Sequence, residues 1–138
     1  MDAEFYISRQ PSERQNVLSN IHGIIIENDA NIEVKVEPMM GKEMIIYKEK
    51  GGLMKYALSS VKNYISLHVL PIYGSKELHE KYKAKLIGAS FQKGCINFID
   101  ETEMPLPVVK ELISDCAKIN LAKIRENYLK AKKKKSER

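Results

Sequence analysis

The chain has 138 residues, of which 43% are hydrophobic and 30% charged. That balance belongs to a globular domain and excludes a disordered chain or one embedded in a bilayer, and the length suits about one domain. The net charge is +5, but residues 130–138 hold six positive side chains (Lys130, Lys132, Lys133, Lys134, Lys135 and Arg138) against Glu137, so this tail carries the whole excess and residues 1–129 are neutral. A domain that reads nucleic acid concentrates positive charge on a folded face; confinement of the excess to a tail argues against a specific nucleic-acid partner.

The chain begins Met1-Asp2-Ala3-Glu4, without the basic and then apolar segments of a signal peptide. Its strongest apolar run, Ile24-Ile25-Ile26, is far too short to span a bilayer. Cys95 and Cys116 are the only cysteines; neither has a CxxC partner or a histidine at ligand spacing, so both are expected as buried, reduced thiols. These features predict a cytoplasmic protein without a membrane partner.

In chain order, Ser12 and Gln15 have the spacing of a capping box, and Val17, Leu18, Ile21, Ile24 and Ile25 then recur at helical spacing to about Asn28-Asp29. The period changes to two over residues 32–37, where Val34 and Val36 alternate with charged residues, a half-buried strand that Pro38 and Gly41 break. Residues 44–48 and 53–59 read as the second and third strands, with Gly51-Gly52 supplying the positive φ angles of a hairpin. Residues 64–70 form a fourth strand, stopped by Pro71 and antiparallel to the third across the short Lys62-Asn63 connection. Ser75 caps a short helix to Lys83, and a loop with Gly88 and Gly94 leads to a fifth strand over residues 95–99. The last helix has Pro107 in its first turn and an apolar stripe of Val109, Leu112, Ile113 and Cys116, with a continuation through Leu121, Ile124 and Tyr128.

The expected architecture is α+β: a single antiparallel sheet of about five strands with helices packed on one face. Residues 1–129 form the domain and residues 130–138 a basic, disordered tail. Val34, Val36, Met44, Ile46, Met54, Tyr56, Leu58, Ile65, Leu67, Val69, Ile96 and Phe98 are expected to face inward. Alternation then assigns Glu33, Lys35, Tyr47, Lys55, Ser59, Tyr64, Ser66, His68 and Asn97 to the opposite face. This mixture of aromatic rings and hydrogen-bonding groups suits either a solvated sheet face or a surface that binds a ligand. His68 has no second ligand at motif spacing and is expected to satisfy a backbone group rather than hold a metal.

The sequence has no GxSxG elbow, Walker loop, GxGxxG or HExxH. The expected protein is therefore not an enzyme but a binding module. Tyr47, Lys55, Tyr64, His68 and Asn97 would contact a small ligand or a protein partner. Asp100, Glu101 and Glu103 form the one short acidic stretch; a solvated turn ahead of a helix is its plainer reading.

The segment Val61-Lys62-Asn63-Tyr64-Ile65-Ser66-Leu67-His68-Val69-Leu70-Pro71-Ile72-Tyr73, followed by Leu86 and then Gly94-Cys95-Ile96-Asn97-Phe98, resembles the YdhG-like family of small bacterial domains. The resemblance covers residues 4–118 and departs from the family at Gln92-Lys93-Gly94-Cys95, where relatives more often have Gly-Lys-Ser before the cysteine. It implies a single α+β domain with an antiparallel sheet. Some relatives are described as frataxin-like iron chaperones that serve iron–sulfur cluster assembly. The resemblance thus implies an alternative in which iron is the cargo, with Asp100, Glu101 and Glu103 as weak oxygen ligands; no other cofactor is expected.

Overall fold

The computed structural model describes residues 2–92 and 94–136, with side chains to residue 133. The elements run α1 (Ala3–Ser8), α2 (Ser12–Asn28), β1 (Ile32–Met39), β2 (Lys42–Glu49), β3 (Met54–Ser60), β4 (Ile65–Val69), α3 (Leu70–Tyr73), α4 (Lys76–Lys85), β5 (Ser90–Gln92), β6 (Cys95–Phe98), α5 (Leu106–Ala117) and α6 (Leu121–Ser136). The strands form one open sheet in the order β1-β2-β3-β4-β6-β5, every pair antiparallel. The fold is the expected α+β arrangement, with β5 added at the far edge.

Local chemistry accounts for the ends of these elements. The β1–β2 turn places Met40 and Gly41 at φ 53° and 80°, the paired left-handed conformation of a tight hairpin. Pro38 sits inside β1 rather than ending it; β1 is an edge strand, so a missing N–H costs no ladder bond on the open side. Ser75 caps α4 by accepting from Leu78 N at 3.2 Å. The expected capping box at Ser12 does not form: Pro11 occupies the cap position without a side-chain bond, and the Gln15 amide instead donates to the carbonyls of Ser8 and Gln10.

The sheet divides its side chains between two faces. A ladder on the inner face, Val36–Ile45–Leu58–Leu67–Ile96–Phe91, crosses all six strands, and Val34–Tyr47–Tyr56–Val69 runs beside it. These residues share one core with Tyr6, Leu18, Ile21, Ile25, Ile72, Tyr82, Val109, Leu112 and Cys116, drawn from α1 to α5. The outer face has its own small apolar cluster, in which Met44, Ile46 and Ala57 pack with Met39 and Met54. It includes no helical residue.

Five expected placements are thereby corrected. Met44 and Ile46 lie on the outer face, and Tyr47 lies on the inner one with no exposed surface. Met44-Ile45-Ile46-Tyr47 is an unbroken apolar run, so alternation cannot choose its face from the sequence; pairing with Val34 and Val36 chooses it. Lys55 is also inward and buried. Tyr47 pairs with Tyr56 but Lys48 pairs with Met54, which leaves Lys55 as the extra residue of a β-bulge. The bulge reverses parity, sending Met54 outward and Lys55 inward. Residues 130–136, expected as a disordered tail, continue α6, so the domain boundary at 129 falls inside a helix. Residues 137 and 138 lie outside the described residues. The helix expected to run unbroken from 107 to 128 stops at Ala117 and restarts at Leu121.

Candidate functional site

The outer face brings together three of the residues that the sequence marks as functional, Tyr64, His68 and Asn97. One row runs Lys35–Ile46–Ala57–His68–Cys95–Gln92 and the next runs Ser59–Ser66–Asn97–Ser90. Ala57, Ser59 and Ser66 are small and buried, which leaves the larger His68 and Asn97 as the polar relief of the central strands. Tyr64 stands just before β4 at the end of this face and is 39% exposed. The Arg14 guanidinium fixes the loop that carries it, donating to Ser60 Oγ at 2.9 Å and to the carbonyls of Val61, Lys62 and Tyr64.

Within the first row His68 and Cys95 are in contact, with Nδ1 and Sγ 2.9 Å apart across the β4–β6 pair. Burial lowers the imidazole pKa and raises that of the thiol, the latter opposed by a hydrogen bond from Ser66. Both effects favour the neutral pair over thiolate and imidazolium. Sequence reading placed Cys95 among buried thiols, yet it is only partly buried, unlike Cys116. The signal was available: Cys95 precedes Asn97 by two residues and so shares its face.

Beside this pair lies an open depression of about 400 Å³, lined by His68, Leu70, Tyr73, Gln92, Gly94 and Cys95. Gly94 permits its close walls: a Cβ there would come within 3.3 Å of the Tyr73 side chain. Asn97 Oδ1, two residues from Cys95 on the same strand face, is buried and has no hydrogen-bond partner. An acceptor left unpaired in this way costs free energy until something donates to it.

The remaining expected site residues do not join this face. Tyr47 contacts His22 through a 2.6 Å hydrogen bond beneath the helices, and burial pushes its phenol pKa up and the His22 imidazole down. Lys55 Nζ lies 2.9 Å from Asp29 Oδ2 and donates to the Ile119 carbonyl at 2.7 Å. Tyr56 donates to the same Asp29 oxygen at 2.8 Å. Lys55 is thus the internal tie between the end of α2, β3 and the α5–α6 connection.

The acidic stretch holds its own turn together. Asp100 Oδ1 accepts from Thr102 N, Thr102 Oγ1 and Glu103 N, and these bonds lower its pKa. Glu103 Oε1 accepts from Ile99 N, and Glu101 Oε1 takes the Asn20 amide at 3.3 Å. The three carboxylates therefore serve separate protein donors, and among the described residues no group of three His, Cys, Asp or Glu side chains is arranged to hold a metal ion. Comparison with protein-family models, curated proteins and solved structures finds no match to this chain.

Proposed function

We propose that the chain is a non-enzymatic binding module that takes a small polar ligand on the outer sheet face, at the depression beside His68 and Cys95. The observation that carries this reading is the His68–Cys95 contact in the wall of that depression, with the buried, unpartnered Asn97 Oδ1 two residues along the same strand face. A sheet face with no binding role has no need to sequester an acceptor. The chemistry fits an uncharged amide or urea-like group: the neutral imidazole of His68 and the Gln92 amide exchange hydrogen bonds with it, and Leu70 and Tyr73 flank an apolar end.

The test is an amide-resolved NMR titration of the full chain with a panel of small amides, ureas and carboxylates. Amides of residues 66, 68, 95 and 97 are expected to shift for the amide and urea members, and the response disappears in the Tyr64→Ala/His68→Ala double variant. Shifts that survive the double variant, or a panel without any localised response, would overturn the proposal.

A further inference from the structure

The steepest charge asymmetry of the molecule lies at α6. Residues 121–138 hold eight of the 23 positive side chains and two of the 18 negative ones, a net +6, which leaves the other 120 residues at −1. The domain body is thus slightly acidic and the cationic character belongs to one helix. Its first turn is fastened to the body of the domain. Glu49, itself buried, accepts from Leu121 N at 2.7 Å and Ala122 N at 2.9 Å, and Asn120 Oδ1 accepts from Lys123 N at 3.0 Å. From Ala122 to Lys133 every residue is exposed.

The helix is exposed in spite of its apolar content. Ile124, Tyr128 and Leu129 are 55%, 64% and 52% exposed, and Leu53 at the β2–β3 hairpin tip is 48% exposed. With roughly 3.6 residues per turn, Leu121, Ile124, Tyr128 and Ala131 share one side, while Lys123, Glu126 and Lys130 fall opposite. Leu129 lies about a quarter turn round, beside Leu53, across a groove that Gly51, Gly52, Ala122 and Arg125 also line. Between these apolar positions stand Arg125 and Lys132, whose long stems can follow an apolar surface while their charges reach outward.

We propose that α6 lies on the surface of an anionic lipid bilayer, with Ile124, Tyr128, Leu129 and Leu53 at headgroup depth and Arg125 and Lys132, which stand between them, against the lipid charges. Interfacial helices combine such a basic polar side with aliphatic and aromatic anchors. A second copy is disfavoured by like charge along two adjoining helices. Single-stranded nucleic acid would use stacking platforms and arginine forks; this helix offers one tyrosine, with aliphatic side chains where bases would stack. The groove between Leu129 and Leu53 is lined by Glu126 as well as Arg125, so it offers an acidic protein no uniformly basic seat. The contact is with the bilayer surface only: among the described residues no helix is long and apolar enough to cross it.

The experiment is flotation of the full-length chain with vesicles of phosphatidylcholine alone or with phosphatidylserine added. Binding is expected only to the anionic vesicles, and raised salt should reverse it. Arg125→Gln/Lys132→Gln should weaken partitioning about twenty-five-fold, since each basic residue near an anionic surface contributes roughly fivefold. Ile124→Ser/Leu129→Ser should weaken it about tenfold or more at unchanged charge. Far-UV circular dichroism checks that each variant keeps its helix, and the salt and lipid comparisons need no variant. No flotation with anionic vesicles, equal flotation with neutral ones, or full binding by the Ile124/Leu129 variant overturns the proposal. So does a chain that ignores vesicles but binds single-stranded RNA.

Discussion

Lys55 shows how one residue's environment can be set by a backbone irregularity. The bulge carries its ammonium into the core, where the Asp29 carboxylate, the Ile119 carbonyl and the Tyr56 ring surround it. Cys116 also belongs to this neighbourhood, its thiol pKa pushed up to about 12 mainly by burial. Removing one member of a buried pair strands the other charge, so Asp29→Ala is expected to cost about 3–5 kcal/mol in urea denaturation. The Asp29→Asn/Lys55→Met double variant removes both charges and keeps an acceptor for Tyr56, so it should recover most of that loss. Failure to recover would mean that the pair itself, rather than the avoidance of a lone charge, supplies the stability. The two part-buried histidines give a second handle. Burial holds His22 and His68 below their ordinary 6.5, so the unfolded chain takes up protons that the folded chain refuses. Their stabilising contribution is complete above about pH 6.5 and is lost as the pH falls through that value toward their lower folded pKa values. Denaturation midpoints should decline on acidification over this range, and less steeply in His68→Gln.

At the scale of elements, legibility followed the quality of the periodic signal. Residues 32–37 alternate cleanly and β1 faces as they predict, as do β4 and β6. β2 fails because four apolar residues in succession have no preferred side until β1 and β3 pair with them. The bulge in β3 leaves no composition signal at all, so Lys55 is expected on the wrong face, as Tyr47 is from the apolar run of β2, whereas Tyr64, His68 and Asn97 are not. The α5–α6 break was hidden by apolar residues that continue at helical spacing past Lys118. Tertiary contacts decide it there: Glu49 supplies acceptors to the first free amides of α6, a carboxylate at the positive end of a helix dipole. Glu49→Ala is expected to cost about 2 kcal/mol. Hydrogen exchange of the Leu121 and Ala122 amides should accelerate more than that of the α5 amides; equal acceleration would mean a general loss of stability instead of an unfastened helix.

For the whole molecule, composition and short connections sufficed to specify one antiparallel sheet with a single helical layer. The closing order β4-β6-β5 was not readable, because the three-residue β5 is too short to carry a pattern. The two faces of the sheet differ: one builds the core, while the other carries Ser66, His68, Cys95 and Asn97. The core also has an unusual optical make-up. The chain contains no tryptophan and seven tyrosines. Three of these rings, Tyr47, Tyr56 and Tyr82, are wholly enclosed, with their phenols bonded to His22, Asp29 and Asp115. Burial keeps those phenols protonated in the native state. Tyrosinate absorbance from these rings therefore arises only when the interior opens, and alkaline ultraviolet spectroscopy becomes a label-free gauge of core integrity.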